Sequence, residues 1–269
     1  TTLGMATDQG KTSNMAALDR ISRREDKPLP EVGITTFRPP YTPVSMGALA
    51  GASTGSHAVP TRRPALFDLH VAKNPIWFNA GYWKRPRAYP RNGETVNEAG
   101  LREARTVRSA VGMCDVSTLG KFEVQGPDAV RFLEKVCATT VGKLAEGRGR
   151  YTFMMREDGL VFDDGTVWRL GPQRYLLTSS TAVASRMATW LSYVRNQLCP
   201  DYKVSVVCVQ EHLAAIAVAG PASARVMAEL TGAEAPRHMG FVETAIAGVP
   251  VLLLAASFSG ERAFEVHVD

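Results

Sequence analysis

The chain has 269 residues and a mass of 29.1 kDa, and 45% of its residues are hydrophobic, so it can bury one large core or two modest ones. Its net charge of +5 comes from scattered Lys and Arg with no block of five like charges, which disfavours nucleic-acid binding. The four cysteines form no C-x-x-C pair, and no long apolar run or charged-then-apolar leader is visible, so we expect a cytoplasmic protein with reduced thiols, no membrane span and no metal site.

Residues 1–64 are rich in Gly, Pro, Ser and Thr, and they contain one short helical candidate, Met15 to Arg24. Segments such as Phe37 to Pro43 cannot form a regular helix or a central strand, because proline fixes φ and lacks an N–H donor. The stretch Gly4 to Thr12 is similar to a phosphate-binding loop, but it has five residues between its glycines where four are required. We therefore predict an extended linker and no nucleoside triphosphate site. Both chain ends are expected to continue into a longer protein.

A helix is predicted from Glu98 to Ser109, because Leu101, Ala104 and Val107 recur at helical spacing and would face the core. Three arginines on the opposite face would then lie in solvent, namely Arg102, Arg105 and Arg108. The densest basic region precedes this helix and is interleaved with Pro and aromatic residues. We interpret it as a solvated loop or a subunit contact, formed by Lys84, Arg85, Arg87 and Arg91.

The stretch from Arg150 to Thr181 contains three short apolar runs and predicts a β-meander. The boundaries are interpreted as turns, because Asp-Gly pairs supply the positive φ of tight hairpins and Gly-Pro is typical of turns and loops. These boundaries are Asp158-Gly159, Asp164-Gly165 and Gly171-Pro172. Asp163 precedes the second pair and is harder to explain, since an unpaired charge in an apolar hairpin is costly. Two readings stay open, a structural turn capped by Asp or a carboxylate that faces a pocket.

Two segments repeat the same order of strand, Gly-Pro turn and helix, from Lys121 to Glu134 and from Ala215 to Glu229. Their turn glycines, Gly126 and Gly220, are 94 residues apart, which is too long a period for a solenoid. A helix from Ala182 to Gln197 would precede the second unit, and two strands would complete it, Val204 to Val209 and Val249 to Ala256. The predicted fold class is therefore α+β, with duplicated antiparallel sheet-and-helix subdomains. We expect a small molecule to bind in the crevice between them.

Acidic and hydroxyl side chains are the remaining candidates for chemistry, because no histidine accompanies a Gly-x-Ser-x-Gly elbow and no dinucleotide fingerprint follows a strand. Asp163 and Asp164 lie in the meander, between Tyr151 at its start and Thr178 at its end. A carboxylate can accept a bidentate pair of hydrogen bonds from a polar heterocycle, and a second carboxylate beside a reacting amine could relay a proton. Two further carboxylates flank a glycine turn, Glu261, which suits a turn or cap, and Glu265.

Several segments carry a resemblance to a known family: Val107 to Leu119, Arg150 to Val167, the two Gly-Pro turns, and Ser257 to Glu265. They resemble the folate-binding domain of the aminomethyltransferase family, which is typified by the glycine-cleavage T-protein. Three segments resemble the alpha subunits of heterotetrameric sarcosine oxidases more closely, namely Asp163 to Thr166, Gly4 to Asn14 and Phe37 to Gly47. The resemblance implies that residues 1–64 are the end of a nucleotide-binding region with an extended linker. It implies that residues 65–269 are an aminomethyltransferase-like folate-binding domain, incomplete at its C-terminus.

The resemblance also implies residue roles. Asp163 matches the catalytic carboxylate near the reacting nitrogens of tetrahydrofolate, where it would orient the folate and assist proton transfer during one-carbon capture. Glu265 matches the acid that holds the pterin ring. Phe258 replaces a family tyrosine and lacks its hydroxyl. Three further positions match the folate pocket, namely Tyr151, Asp164 and Thr178.

The implied reaction is the oxidative demethylation of sarcosine to glycine, with oxygen reduced to H2O2. Tetrahydrofolate would take the one-carbon unit as 5,10-methylenetetrahydrofolate, and formaldehyde would be released without it. The implied assembly contains FAD, FMN and NAD and the beta, gamma and delta subunits, with a small amine as substrate and no nucleic acid or membrane. The alternatives are a non-catalytic folate-binding module and a structural subunit of a related amine dehydrogenase or aminomethyltransferase. The presence of Asp163 favours an enzyme.

Overall fold

The computed structural model describes residues 19–24, 26 and 61–269. The chain divides into two compact units, Thr1–Pro60 and Thr61–Asp269. In the first unit, residues 19–24 are helical, inside the segment where a helix is predicted. The loop-like stretch Gly4 to Thr12 and the proline-rich stretch Phe37 to Pro43 lie outside the described residues. Within the described ranges, no helix is long and apolar enough to cross a membrane.

The second unit begins with a short helix, a two-stranded hairpin and a longer helix. These are α1 (Phe67–Val71), β1 (Ile76–Ala80), β2 (Trp83–Ala88) and α2 (Val96–Ser109). A capping box formed by Thr95 and Glu98 starts α2, because each side chain bonds the backbone N–H of the other residue. The basic stretch that the sequence suggested as a loop or subunit contact therefore lies largely in β2.

The face that α2 turns to the protein differs from the predicted one. Ala99 is fully buried, whereas Leu101 and Ala104 are exposed. Arg102, which the spacing placed in solvent, is held by the Glu94 carboxylate through Nε at 2.7 Å and Nη2 at 2.8 Å. The prediction was wrong for Leu101 and Ala104, because the helix turns Ala99 and the ion-paired Arg102 towards the protein instead, while Val107 is half-buried.

Two antiparallel sheets of five strands each form the body of the unit. The first sheet has the spatial order β5-β6-β7-β4-β8, where β4 is Gly120–Gln125, β5 is Arg148–Met155, β6 is Val161–Gly171, β7 is Arg174–Ser179 and β8 is Ser205–Cys208. The second has the order β10-β11-β12-β9-β3, where β3 is Gly112–Asp115, β9 is Ala214–Ala219, β10 is Phe241–Ile246, β11 is Val249–Leu254 and β12 is Ala263–Val268. The predicted α+β class with antiparallel sheets is confirmed.

Helices cover the outer faces of both sheets. On the first sheet lie α3 (Ala129–Val136) and α4 (Ala184–Tyr193), which continues as the π-helical turn Val194–Leu198, and on the second lies α5 (Ser223–Thr231). The inner faces meet at an apolar cluster centred on Trp168, Leu176 and Leu254. Because neighbouring residues of a strand point to opposite faces, each strand sends one set of side chains under the helices and the other between the sheets.

The predicted duplication is confirmed, with one addition. Both halves run strand, helix, three-stranded meander, as β4-α3-β5-β6-β7 and as β9-α5-β10-β11-β12. Gly126 and Gly220 occupy the same left-handed conformation, with φ of +128° and +125°. The leading strands, however, are exchanged: β3 precedes β4 in the chain but pairs with β9, and β8 precedes β9 but pairs with β4. The prediction that the strand from Val204 to Val209 completes the second unit was therefore wrong, because β8 belongs to the first sheet.

Asp164 and Gly165 do not form the turn that the sequence predicts. They lie in the middle of β6, opposite Phe153 and Thr152 of β5. A Cβ atom at Gly165 would lie 2.0 Å from the backbone oxygen of Thr178 in β7. The prediction was wrong because close approach of two backbones, and not a positive φ, requires glycine here. The other two predicted boundaries do separate the three strands of the meander.

Candidate functional site

A cavity of about 530 Å³ opens between the two halves of the duplicated unit. Tyr151 and Thr166 of the first sheet form one wall, and the segments 238–239 and 256–257 beside the second sheet form the other. The cavity therefore lies where the duplicated architecture predicts a crevice. Among the described residues that line it, Lys143, Arg148 and Arg150 are cationic and none is Asp or Glu. Its positive field suits a ligand with one or more carboxylates.

Asp164 is paired with Tyr151 on the inner face of the first sheet. The Tyr151 hydroxyl donates to Asp164 Oδ2 at 2.8 Å. This hydrogen bond to the carboxylate raises the pKa of the Tyr151 phenol, so the phenol remains a donor at neutral pH. The second oxygen of Asp164 has no hydrogen-bond donor among the described residues. Asp164 thus offers one carboxylate oxygen to a ligand.

Asp163 points to the opposite face of β6, as strand alternation requires. It is buried, with 8% of its surface exposed. Its Oδ2 accepts from the backbone N–H of Ser180 at 2.8 Å, and its Oδ1 accepts from the Ser180 hydroxyl at 2.7 Å. Both oxygens are therefore occupied by the residue that follows β7. Asp163 therefore joins β6 to the end of β7, while Asp164 lies on the inner face and bonds Tyr151, which lines the cavity.

Thr178 lies behind the cavity wall. Its hydroxyl accepts from the Thr166 backbone N–H at 2.9 Å and lies 2.8 Å from Thr166 Oγ1. The indole Nε1 of Trp168 donates to that same Thr166 Oγ1 at 2.7 Å. Thr178 is buried, so within this structure it fixes the orientation of Thr166, which itself lines the cavity.

Glu265 lies on the inner face of the second sheet, opposite Leu254 in the β11–β12 ladder. Its Oε2 lies 3.0 Å from Nε2 of His267, whose side chain is completely buried. Lys121, on the inner face of the first sheet, is also completely buried, and burial lowers the pKa of its ammonium to about 8. Glu265 is the first of the charges that act against this shift. The two sheets thus place a buried cation and a partly exposed anion in one electrostatic cluster.

The sequence did not reveal a polar chain in which the half-buried Tyr89 joins the buried residues His70 and Asp115. The Tyr89 hydroxyl lies 2.6 Å from His70 Nδ1, and His70 Nε2 lies 2.9 Å from Asp115 Oδ2. Burial is the first cause that raises the pKa of Tyr89 to about 12. These residues are 19 and 45 positions apart along the chain, so spacing gave no signal for them. They tie α1 and the hairpin to β3.

Glu261 and Glu265, which the sequence places around one glycine turn, lie in different surroundings. Glu261 belongs to the segment between β11 and β12. The Glu261 carboxylate lies 3.2 Å from Nε of Arg108 on α2. A hydrogen bond from Ser259 is the first cause that lowers the pKa of Glu261. This agrees with the turn or cap role predicted for Glu261. Phe258, at the position of the family tyrosine, is fully exposed. No group of three potential metal ligands occurs in the parts of the chain that the structure describes.

Comparison with known proteins gives matches along the chain. The sequence model of the GCVT N-terminal domain matches residues 66–269, and that of the sarcosine oxidase A3 domain matches residues 1–53. The sarcosine oxidase subunit alpha of Corynebacterium sp. (strain U-96) is 40% identical over 275 residues, and that of Rhizobium meliloti (strain 1021) is 39% identical over 278 residues. Both alignments cover 100% of this chain and 28% of the relative, so the chain spans about a quarter of the length of these proteins.

The fold is also found in a solved structure. The glycine cleavage system aminomethyltransferase T from Bartonella henselae superposes with a TM-score of 0.67 at 22% identity, over 77% of this chain and 53% of that one. At this identity the likeness concerns the fold alone, and it confirms the predicted aminomethyltransferase-like architecture. The chain therefore belongs to the family of the GCVT N-terminal domain, and its homologues include alpha subunits of sarcosine oxidase.

Proposed function

We propose that this chain is the folate-binding part of a sarcosine oxidase alpha subunit and captures the one-carbon unit on tetrahydrofolate. The observation that carries the proposal is that the Tyr151–Asp164 pair and Glu265 lie on the inner faces of the two sheets, and that Tyr151 also lines the cation-lined cavity between the halves. A reduced pterin presents several N–H donors, and the folate tail ends in carboxylates. The carboxylate acceptors and the cationic lining complement these two ends of one ligand.

Separate roles are proposed for the three carboxylates. Glu265 would accept hydrogen bonds from the pterin N–H groups. Asp164 would orient the reacting nitrogens and stabilise the positive charge that develops as the methylene unit is captured, because it lies on the inner face beside Tyr151 with one oxygen unoccupied. Asp163, the residue favoured by resemblance, would support this by holding β6 against Ser180. Tyr151 and Thr178 would fix the pocket wall.

The wider reaction belongs to the proposed assembly. Sarcosine would be oxidised by the flavin-bearing subunits, with FAD, FMN and NAD as cofactors, and the partners would be the beta, gamma and delta subunits in the cytoplasm. Oxygen would yield H2O2, and the methylene unit would reach tetrahydrofolate or leave as formaldehyde. The relatives named sarcosine oxidase subunit alpha support this assignment. The boundary between a linker at 1–64 and a folate domain at 65–269 belongs to the same proposal.

Three substitutions in the intact assembly test these roles. Glu265→Gln should weaken tetrahydrofolate binding by about tenfold or more in a calorimetric titration, because a hydrogen bond to a charged acceptor is replaced by one to a neutral acceptor. Asp164→Asn should leave sarcosine oxidation intact but shift the product from 5,10-methylenetetrahydrofolate to formaldehyde. Asp163→Asn should act mainly on stability, lowering the free energy of unfolding by about 2 kcal/mol.

Asp158→Asn is the matched control, because it removes a carboxylate from the exposed turn between β5 and β6. It should change neither folate affinity nor product. If wild type binds no tetrahydrofolate, the chain is a structural subunit. If wild type binds folate but releases only formaldehyde, the chain is a non-catalytic folate-binding module. A product change confined to Asp163→Asn would return the catalytic role to that residue.

A further inference from the structure

Residues 61–91, named here the basic segment, carry the whole excess of positive charge. They include seven Lys and Arg against one Asp, a net charge of +6, whereas the full chain carries +5. All other residues together are therefore close to neutral, at −1. The basic segment contains α1, β1 and β2, and none of its residues lines the crevice cavity of the proposed site. Its charge thus needs an explanation apart from that site.

Four cations of the basic segment have no anionic partner within the ranges that the structure describes. These are Arg63, Lys73, Lys84 and Arg87. Asp68 is the one acid of the segment. Cations that crowd together without counter-charges repel each other and lower the stability of the folded state. Carboxylates supplied from outside the segment would remove that repulsion.

Stacking on aromatic rings holds two guanidinium groups of the basic segment in fixed orientations. The guanidinium carbon of Arg62 lies 5.2 Å from the centre of the Trp83 ring, and that of Arg63 lies 4.8 Å from the centre of the Phe67 ring. Arg62 shows what such a group binds, because its Nη2 lies 2.8 Å from the Glu211 carboxylate. Arg63 offers the same planar set of donors. Because stacking has already ordered its side chain, little conformational entropy is lost when a carboxylate binds.

Large apolar side chains are exposed between these cations. The exposed fraction is 63% at Leu69, 54% at Tyr82 and 46% at Val71, and it is 39% at both Ile76 and Phe78. Nucleic-acid interfaces are polar and strongly cationic, so a phosphate backbone would leave these aliphatic groups unused. Protein interfaces combine an apolar centre, enriched in aromatic residues and arginine, with a polar rim. The composition of the surface therefore favours a protein partner.

We propose that the basic segment is a docking surface for an acidic face of another subunit, which carries carboxylates around a few apolar side chains. That this partner is a subunit rests on the proposed function, which places the chain in a larger assembly. Opposite charge speeds the encounter of chains that diffuse separately, whereas two parts of one chain meet at high effective concentration without it. The unpaired cations therefore point to a separate chain.

Zero-length cross-linking identifies the partner directly. A carbodiimide joins a lysine amine to a carboxylate only where the two groups touch, and mass spectrometry of the full-length alpha subunit in its assembly then shows which acid each lysine meets. Lys73 and Lys84 should be joined to Asp or Glu of another subunit. Lys135, which is exposed on α3, is the control and should form no such cross-link. Cross-links from Lys73 and Lys84 confined to the alpha subunit, or none at all, would overturn the proposal.

Charge reversal measures how much the surface contributes to association. Arg63→Glu/Arg87→Glu should raise the dissociation constant between the subunits about 100-fold in analytical ultracentrifugation, because it places like charges against each other. Arg63→Gln/Arg87→Gln should raise it about tenfold and keeps the test valid should the glutamate variant not fold. The matched control, Lys135→Glu/Arg225→Glu, reverses two exposed charges on α3 and α5 and should leave association unchanged. Equal losses in both pairs, or no loss at Arg63 and Arg87, would contradict the proposal.

Tetrahydrofolate binding in the same preparations separates the docking surface from the proposed function. Arg63→Glu/Arg87→Glu should bind folate as wild type does, because neither residue lines the crevice cavity. If wild type binds no folate while the lysine cross-links form, the proposed function fails and the docking surface stands. Folate binding without the cross-links removes the docking surface alone. Binding of a short single-stranded RNA by wild type at about 0.15 M salt, lost in Arg63→Glu/Arg87→Glu, would assign the surface to nucleic acid and overturn the proposal.

Discussion

Replacing Gly165 by alanine is expected to lower the free energy of unfolding by about 3 kcal/mol or more. The added Cβ would lie 2.0 Å from the backbone oxygen of Thr178 and 2.8 Å from its carbonyl carbon. No side-chain rotation can relieve this contact, because the obstructing atoms belong to the main chain. Strands β6 and β7 would have to separate at the point where Asp163 and Thr178 make their hydrogen bonds. Chemical denaturation followed by circular dichroism measures the loss.

Gly171→Ala is the matched control, because Gly171 ends the same strand. The nearest atom to its added Cβ is the Cβ of Arg174 at 3.8 Å, which is an ordinary contact. Its unfolding free energy should change by less than about 1 kcal/mol. Equal destabilisation by the two substitutions would show that glycine serves only backbone flexibility along β6. The close approach of β6 and β7 would then not be the reason for Gly165.

Raising the pH from 8 to 10.5 is expected to stabilise the protein through Lys121 by about 3 kcal/mol. Burial lowers the pKa of Lys121 from 10.5 to about 8 in the folded protein. Between these values the unfolded chain binds more protons than the folded one, so the free energy of unfolding rises with pH. Below pH 8 both states carry the charge, and the full cost of burying it is present. Lys121→Met removes that cost and should be more stable than wild type at pH 7.

Other groups also titrate between pH 8 and 10.5. The quantity to measure is therefore the difference in unfolding free energy between wild type and Lys121→Met at each pH. Burial raises the pKa of Cys137 from 9.0 to about 12. Because the folded state then binds more protons, this thiol destabilises the protein as pH rises above 9. Tyr89, with its pKa raised from 10.0 to about 12, acts in the same direction above pH 10. Both contributions cancel between wild type and Lys121→Met. Parallel stability curves for the two proteins from pH 7 to 10.5 would contradict the prediction.

Local sequence signals predicted those parts of the fold whose conformation depends on residues close together in the sequence. The paired Gly-Pro turns revealed the duplication, because Gly126 and Gly220 both need a left-handed backbone next to a helix start. The same reasoning failed at Gly165, where glycine is required by the approach of a strand that lies 13 residues further on. It also failed on α2, which turns Ala99 and the ion-paired Arg102 towards the protein. These features depend on tertiary contacts that local spacing does not encode.

The candidate site shows the same division. Resemblance assigned Tyr151, Asp164 and Glu265 to a folate pocket, and the structure places all three on the inner faces of the two sheets. It gave the catalytic role to Asp163, whereas the side-chain contacts lead us to propose Asp164 for it, because strand alternation directs two adjacent carboxylates to opposite faces. Lys121 and the buried His70–Asp115 pair gave no signal, since their partners come from other strands and helices.

The exchange of leading strands bears on how such a chain could have arisen. The first strand of each half, β3 or β8, pairs with the sheet of the other half. One half alone would therefore have a sheet of four strands and a fifth strand without a partner. Two separate copies would satisfy each other by trading those strands, which describes a domain-swapped homodimer with twofold symmetry. Joining the copies end to end turns that dimer into the present single chain without moving any strand. In such an origin the crevice corresponds to the former subunit interface, and the difference between its two walls would have arisen after the copies were joined.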